Sequence, residues 1–135
     1  MKALIQKLVE SVGPSGFETA VRNLVRAEVE GLADEGRVDA LGNLIARKGT
    51  RAANGLRIML AAHIDEIGVM VTHVDENGFA RFTTIGGVRP HTCMGGRVRF
   101  TNGVQGGIGG ARLGDARRIY SFAQLFIDVG ATSRA

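Results

Sequence analysis

His63 and Asp65 stand two positions apart at the end of the apolar run Leu56-Arg57-Ile58-Met59-Leu60-Ala61-Ala62, which continues through Ile64 to Glu66-Ile67-Gly68. In an extended backbone, residues i and i+2 project from the same face. A neutral imidazole can ligate a metal through one ring nitrogen while a carboxylate accepts the N–H of the other and fixes the tautomer. Open sheets leave a crevice for such groups where their strands end. The plainer alternative is a histidine hydrogen-bonded at a strand end with no ligand role. A stable zinc site takes three or four protein ligands, and this pair supplies two at best. The isolated chain is therefore expected to retain no metal.

The remaining reactive side chains read as structural. Glu66 invites a role as general base, but its carboxylate points to the opposite face from Asp65 in an extended strand. It is expected to be a solvated or interface carboxylate. Cys93 is the only cysteine, so neither an intramolecular disulfide nor a paired-cysteine metal motif is possible. It reads as a small apolar residue rather than a nucleophile or, with His91, a ligand. His73 falls at an ordinary sheet position. The run Gly106-Gly107-Ile108-Gly109-Gly110 has the glycines of a phosphate-binding loop but no following helix that opens on Lys-Ser or Lys-Thr. A bulged strand or barrel corner is expected there. Arg112, Arg117 and Arg118 form the densest basic cluster and read as a solvated face.

The elements that carry these residues follow from hydrophobic period. Leu4, Ile5, Leu8, Val9 and Val12 share one helical face, and Gly13-Pro14 stops that helix. Ser15-Gly16-Phe17-Glu18 has the spacing of a capping box, which predicts Ser15 as the cap of a second helix. Val21, Leu24, Val25, Val29 and Leu32 form its buried stripe. Short strands are predicted at 37–39 and 43–46 around a turn at Leu41-Gly42. Asn54-Gly55 signals a further turn. Leu56–Ala62 is apolar almost throughout and predicts a strand covered on both faces. Beyond Gly68 the pattern is all-β. Hairpins are predicted for 69–74 with 79–84 and for 97–100 with 104–108, and a last strand over 125–129. In the second hairpin Arg97 and Arg99 should face outward and Val98 and Phe100 inward. The expected fold class is α/β: an N-terminal segment of an α/β domain, residues 1–68, followed by a β-rich, barrel-like module, residues 69–135.

Composition bounds what such a chain does. Of 135 residues, 44% are hydrophobic and only 5% aromatic, with no Trp, so the core must be aliphatic. The net charge of +4 permits nucleic-acid binding, but the arginines are dispersed and there are few aromatic platforms for bases. No nucleic-acid partner is expected. No apolar run approaches the length of a membrane span, and no signal peptide is evident at Met1-Lys2, so no membrane partner and a cytoplasmic location are expected.

Taken in order, Ser15-Gly16-Phe17-Glu18, Asp39-Ala40-Leu41-Gly42-Asn43-Leu44, Ala62-His63-Ile64-Asp65-Glu66-Ile67-Gly68, Ile85-Gly86-Gly87 and Phe126-Ile127-Asp128-Val129-Gly130-Ala131 resemble the M42 metallo-aminopeptidases. These are the TET-type peptidases, some of which carry endoglucanase or cellulase labels. The resemblance runs over essentially the whole chain and corresponds to the N-terminal portion of a family member. It implies a metal-dependent aminopeptidase acting on peptide substrates, with two divalent ions, zinc or cobalt, in the complete enzyme. It implies that His63 is a metal ligand and that Asp65, counted among the catalytic residues, is the carboxylate that orients it. The family's other ligands and its catalytic glutamates would lie beyond this segment, so the chain alone is expected to be inactive. The β-rich part resembles the family's dimerisation module, which implies a homo-oligomer, from dimer to dodecamer. Two alternatives stand beside this reading. One is an assembly or interaction module without catalysis. The other is a glycan hydrolase, which usually needs two carboxylates about 5 to 10 Å apart across the sugar, whereas adjacent Asp65 and Glu66 splay apart.

Overall fold

A computed structural model describes residues 1–50, 53–111 and 120–134. The basic cluster of Arg112, Arg117 and Arg118 lies outside the described residues. The chain combines helices and strands and divides into two units, Met1–Glu66 and Ile67–Ala135. None of the described helices is long and apolar enough to cross a membrane.

The first unit begins with two helices, α1 (Lys2–Glu10) and α2 (Thr19–Val29). Both are amphipathic, and α2 buries Val21. Lys7 Nζ of α1 reaches Glu28 Oε1 of α2 at 2.7 Å. The connection between them is tightly packed at Gly13, where a Cβ would stand 2.6 Å from Val21 Cγ1. Only glycine lets the loop lie that close to α2. The capping box predicted at Ser15 does not form: the cap of α2 is Glu18, with no side-chain bond to the helix amides. Glu18 Oε1 instead accepts the Gly16 amide at 2.6 Å, and the Ser15 hydroxyl is engaged elsewhere.

After α2, β1 (Glu35–Val38) and β2 (Leu44–Arg47) pair antiparallel. Their turn is built on Asp39, which accepts the amides of Leu41 at 3.0 Å and Asn43 at 2.9 Å and the Asn43 side chain at 2.9 Å. Those bonds hold the Asp39 carboxyl below the usual carboxylate range, the Asn43 side chain contributing most. Arg22 of α2 donates to the Gly42 carbonyl at 3.1 Å. The Asp39–Leu44 motif is thus a turn tied to α2.

The strand predicted at Leu56–Ala62 is absent. These residues have no ladder partner and are exposed, Leu60 at 94% and Leu56 at 89%. A strand exists only through a hydrogen-bonded neighbour, and no described strand runs beside this segment. The local pattern registered an apolar run correctly, but pattern alone supplies neither the neighbour nor the cover.

The second unit is a five-stranded antiparallel sheet with strand order β3-β4-β7-β6-β5. Its strands are β3 (Gly68–Val74), β4 (Ala80–Ile85), β5 (Arg97–Arg99), β6 (Gln105–Gly110) and β7 (Leu125–Asp128). A single helical turn, α3 (Pro90–Cys93), links β4 to β5, which the sequence reading missed. Ala80, Phe82, Cys93, Ile108, Leu125 and Ile127 form the core, with Val98 and Phe100 packed against it and Arg97 and Arg99 facing outward as expected. Cys93 is buried, and burial pushes its thiol pKa up, the opposite of what a nucleophile needs. His73 is an exposed position of β3, one residue past an irregularity in the β3–β4 register.

The glycine-rich run is a strand without a bulge. β6 pairs with β5 and β7 in unbroken register. Two of its glycines lie beneath side chains of β7: a Cβ on Gly109 would meet the Phe126 ring at 2.8 Å, and one on Gly106 would meet Ile127 Cγ2 at 2.6 Å.

Candidate metal-ligand pair and its supporting loop

Residues 63–66 lie against the α1–α2 loop within the first unit. Glu66 N donates to the Gly13 carbonyl at 2.9 Å. Gly13 N donates in return to Glu66 Oε1 at 3.0 Å. Pro14 and Glu66 form a parallel bridge, and Ser15 Oγ donates to Asp65 Oδ2 at 2.6 Å. Two stretches fifty residues apart are therefore stitched at three successive positions.

His63 and Asp65 face each other, as the i, i+2 spacing predicts, even though no strand forms around them. His63 Nδ1 lies 3.1 Å from Asp65 Oδ1 and 3.0 Å from the Asp65 carbonyl oxygen. A carboxylate and a carbonyl only accept hydrogen bonds. Nδ1 therefore carries the proton, and in the neutral ring this leaves Nε2 with a free lone pair. The His63 side chain is 86% exposed and that of Asp65 39%, so Nε2 is open to an incoming group. The Asp65 carboxyl lies below its ordinary range, chiefly because Ser15 donates to it; burial opposes this, and its own backbone amide and His63 add smaller lowering effects. An ionised Asp65 is what a hydrogen-bond partner of an Nδ1–H imidazole should be.

The fit to a metal is limited to one position. His63 presents the lone pair that a divalent ion takes from imidazole. Among the described residues no three His, Cys, Asp or Glu side chains converge on a common point. Glu66 is not simply solvated, because its carboxylate holds the Gly13 amide. His91 and Cys93 fall in and around α3 of the other unit, and Cys93 is buried. Sequence reasoning missed Ser15. Its S-x-x-E context supplied a sufficient local explanation, and no local signal reveals a partner fifty positions away.

Residues 42–135 match the M42 glutamyl aminopeptidase family. The chain is similar to one from Acetivibrio thermocellus assigned as an aminopeptidase, with 44% identity over 131 residues, 97% of this chain and 39% of that one. Among solved structures it resembles an aminopeptidase from the archaeon Desulfurococcus kamchatkensis, with a TM-score of 0.88, 38% identity, and coverage of 98% of this chain and 38% of that one. It also resembles the TET1 peptidase of Pyrococcus horikoshii, which can assemble into a tetrahedron or a large octahedral shell (TM-score 0.85, 31% identity, 98% and 41% coverage). The chain thus spans about two fifths of the length of the relatives it matches. The chain belongs to the M42 family.

Proposed function

We propose that this chain carries the first metal-ligand pair of a metal-dependent aminopeptidase, with His63 as a ligand through Nε2 and Asp65 as the carboxylate that orients it. The observation that carries this reading is the pairing at Nδ1: both of its partners are acceptors, so in the neutral ring Nε2 is the nitrogen able to bind a metal. Two divalent ions, zinc or cobalt, fit the family. Such ions, when bound, activate a water and polarise the carbonyl of the first peptide bond. The rest of this chain's part is to hold the imidazole: Asp65 grips its Nδ1–H, and the α1–α2 loop grips the segment that bears both residues. In this reading residues 1–68 belong to the catalytic α/β domain, 69–135 to an inserted dimerisation module, and the protein works on peptides in the cytoplasm as a homo-oligomer.

Zinc titration into the isotopically labelled chain, followed through the ring nitrogens of its three histidines, tests the ligand. His63 Nε2 should shift first and His73 and His91 should lag, with the early response missing in His63→Gln. Equal response of all three histidines would overturn the assignment. In the same preparation no turnover of an aminoacyl-anilide is expected, because a working zinc site takes at least three protein ligands and no such cluster occurs among the described residues.

A second reading, an assembly module, has its own support. Val71, Val74, Val104 and Val129 are partly exposed around an apolar groove of about 340 Å³ in the second unit, and Leu56, Ile58, Met59 and Leu60 are exposed in the first. Contiguous exposed apolar surface of this kind marks association sites.

A further inference from the structure

We infer that Ser15 is a positioning residue for the proposed ligand: by holding one oxygen of Asp65, it commits the other to His63 and so reinforces, beside the Asp65 carbonyl oxygen, the tautomer in which Nε2 faces outward. The inference rests on the reading of His63 as a ligand and adds a residue from a separate part of the chain to it.

The geometry is a three-member relay within one unit. Ser15 Oγ to Asp65 Oδ2 is 2.6 Å, and Asp65 Oδ1 to His63 Nδ1 is 3.1 Å. A carboxylate with both oxygens free turns about its terminal torsion, which has broad, roughly two-fold preferences. Asp65 is partly open to water, which would compete for the Nδ1–H. A short hydroxyl bond to Oδ2 removes that rotation and leaves Oδ1 aimed at the ring. The donor is a hydroxyl, whose hydrogen turns to suit its partner, and here the partner accepts only. Ser15 is itself held, because Gly13 is locked to Glu66 on both its amide and its carbonyl and Phe17 N closes a turn onto the Pro14 carbonyl at 2.8 Å. The hydroxyl thus arrives from a fixed frame.

A role in positioning and a role in merely joining two loops differ in one readout, the tautomer of His63. Long-range proton–nitrogen spectra of the 15N-labelled chain at about pH 9, well above the ordinary histidine range, report the ratio of Nδ1–H to Nε2–H, with His63 assigned by its loss in His63→Gln. Ser15→Thr keeps the hydroxyl and Ser15→Val replaces it with a methyl of matched shape, so any disturbance of the loop by a β-branched side chain is common to both. Ser15→Ala completes the set. The parent chain and Ser15→Thr should show predominantly Nδ1–H, and the ratio should fall about fivefold in Ser15→Val and Ser15→Ala, the effect of losing one net hydrogen bond. Equal ratios in the Thr and Val variants would overturn the inference even if Ser15→Ala failed to fold. Failure of the underlying reading looks different: the serine dependence of the tautomer would stand while zinc showed no preference for His63. A parent chain in which Nε2 carries the proton overturns both.

Discussion

Glu66 adjoins the proposed ligand pair and has the chemistry of a general base, yet its oxygen is 3.0 Å from the Gly13 amide while its own amide donates to the Gly13 carbonyl. Reciprocal bonding of this type fixes a loop and leaves that oxygen poorly placed to take a proton from a substrate. Glu66→Gln retains a carbonyl oxygen able to accept from Gly13, whereas Glu66→Ala retains nothing. Amide exchange at Gly13 should therefore be about fivefold faster in the alanine variant and near parental in the glutamine variant, given the net worth of one hydrogen bond. Equal protection in both variants would remove the latch. The same scale shows what a sequence can disclose. The facing of His63 and Asp65 depends only on a spacing of two, a property of the local backbone. The stitching of Gly13 to Glu66 and of Ser15 to Asp65 depends on how distant segments meet, and Ser15 already had an adequate local role as a helix cap.

Among the elements, the β3–β4 hairpin is governed by one carboxylate. Asp75 accepts the amides of Asn77 and Phe79, both at 3.1 Å, and receives Arg81 through Nε at 3.2 Å and Nη2 at 2.9 Å. Arg81 also lies over the Phe126 ring of β7, 5.5 Å from its centre. Burial raises the Asp75 pKa, but Arg81 and the two amides together outweigh it and leave a net lowering. A carboxyl whose folded pKa lies below its unfolded value of about 4 stabilises the fold above that value and loses the contribution as pH falls through the folded one. Unfolding in denaturant followed from pH 7 to pH 2 should show this loss in the parent chain. In Asp75→Asn stability at pH 7 should be lower and its decline with acid shallower. Parallel pH curves for the two proteins would contradict it. Hairpins of this kind were visible in advance because alternation and turn residues are local. The Leu56–Ala62 strand was mispredicted for the converse reason: its residues have the composition of a covered strand, but hydrogen bonding and cover come from elsewhere. In β6, Gly106 and Gly109 answer to Ile127 and Phe126 of β7, which no reading of β6 alone contains.

At the scale of the whole molecule, two units with opposite needs share one chain. The second closes a small core of its own, with Leu125 and Ile127 each 1% exposed. The first buries Val21 alone among its large apolar side chains and leaves Leu56, Ile58, Met59 and Leu60 open, each more than three quarters exposed. Burying one such side chain is worth about 1.5–3 kcal/mol, so any surface that covers this segment is strongly favoured. A second copy of the chain is always at hand to do so, and a segment without a ladder partner can accept a neighbouring strand. The chain should therefore associate at micromolar concentration in sedimentation velocity and bind a hydrophobic dye. Leu60→Arg removes the most exposed of the four and adds a charge that resists edge pairing, so association should weaken about tenfold, the equivalent of one lost side-chain burial. The groove around Val71 and Val104 supplies the contrast: Val104→Arg tests the second unit in the same way. If Leu60→Arg dissociates the chain and Val104→Arg does not, the open segment of the first unit is what draws copies together; the reverse result assigns association to the β unit. A parent chain that sediments as a monomer without dye binding leaves neither surface as an interface.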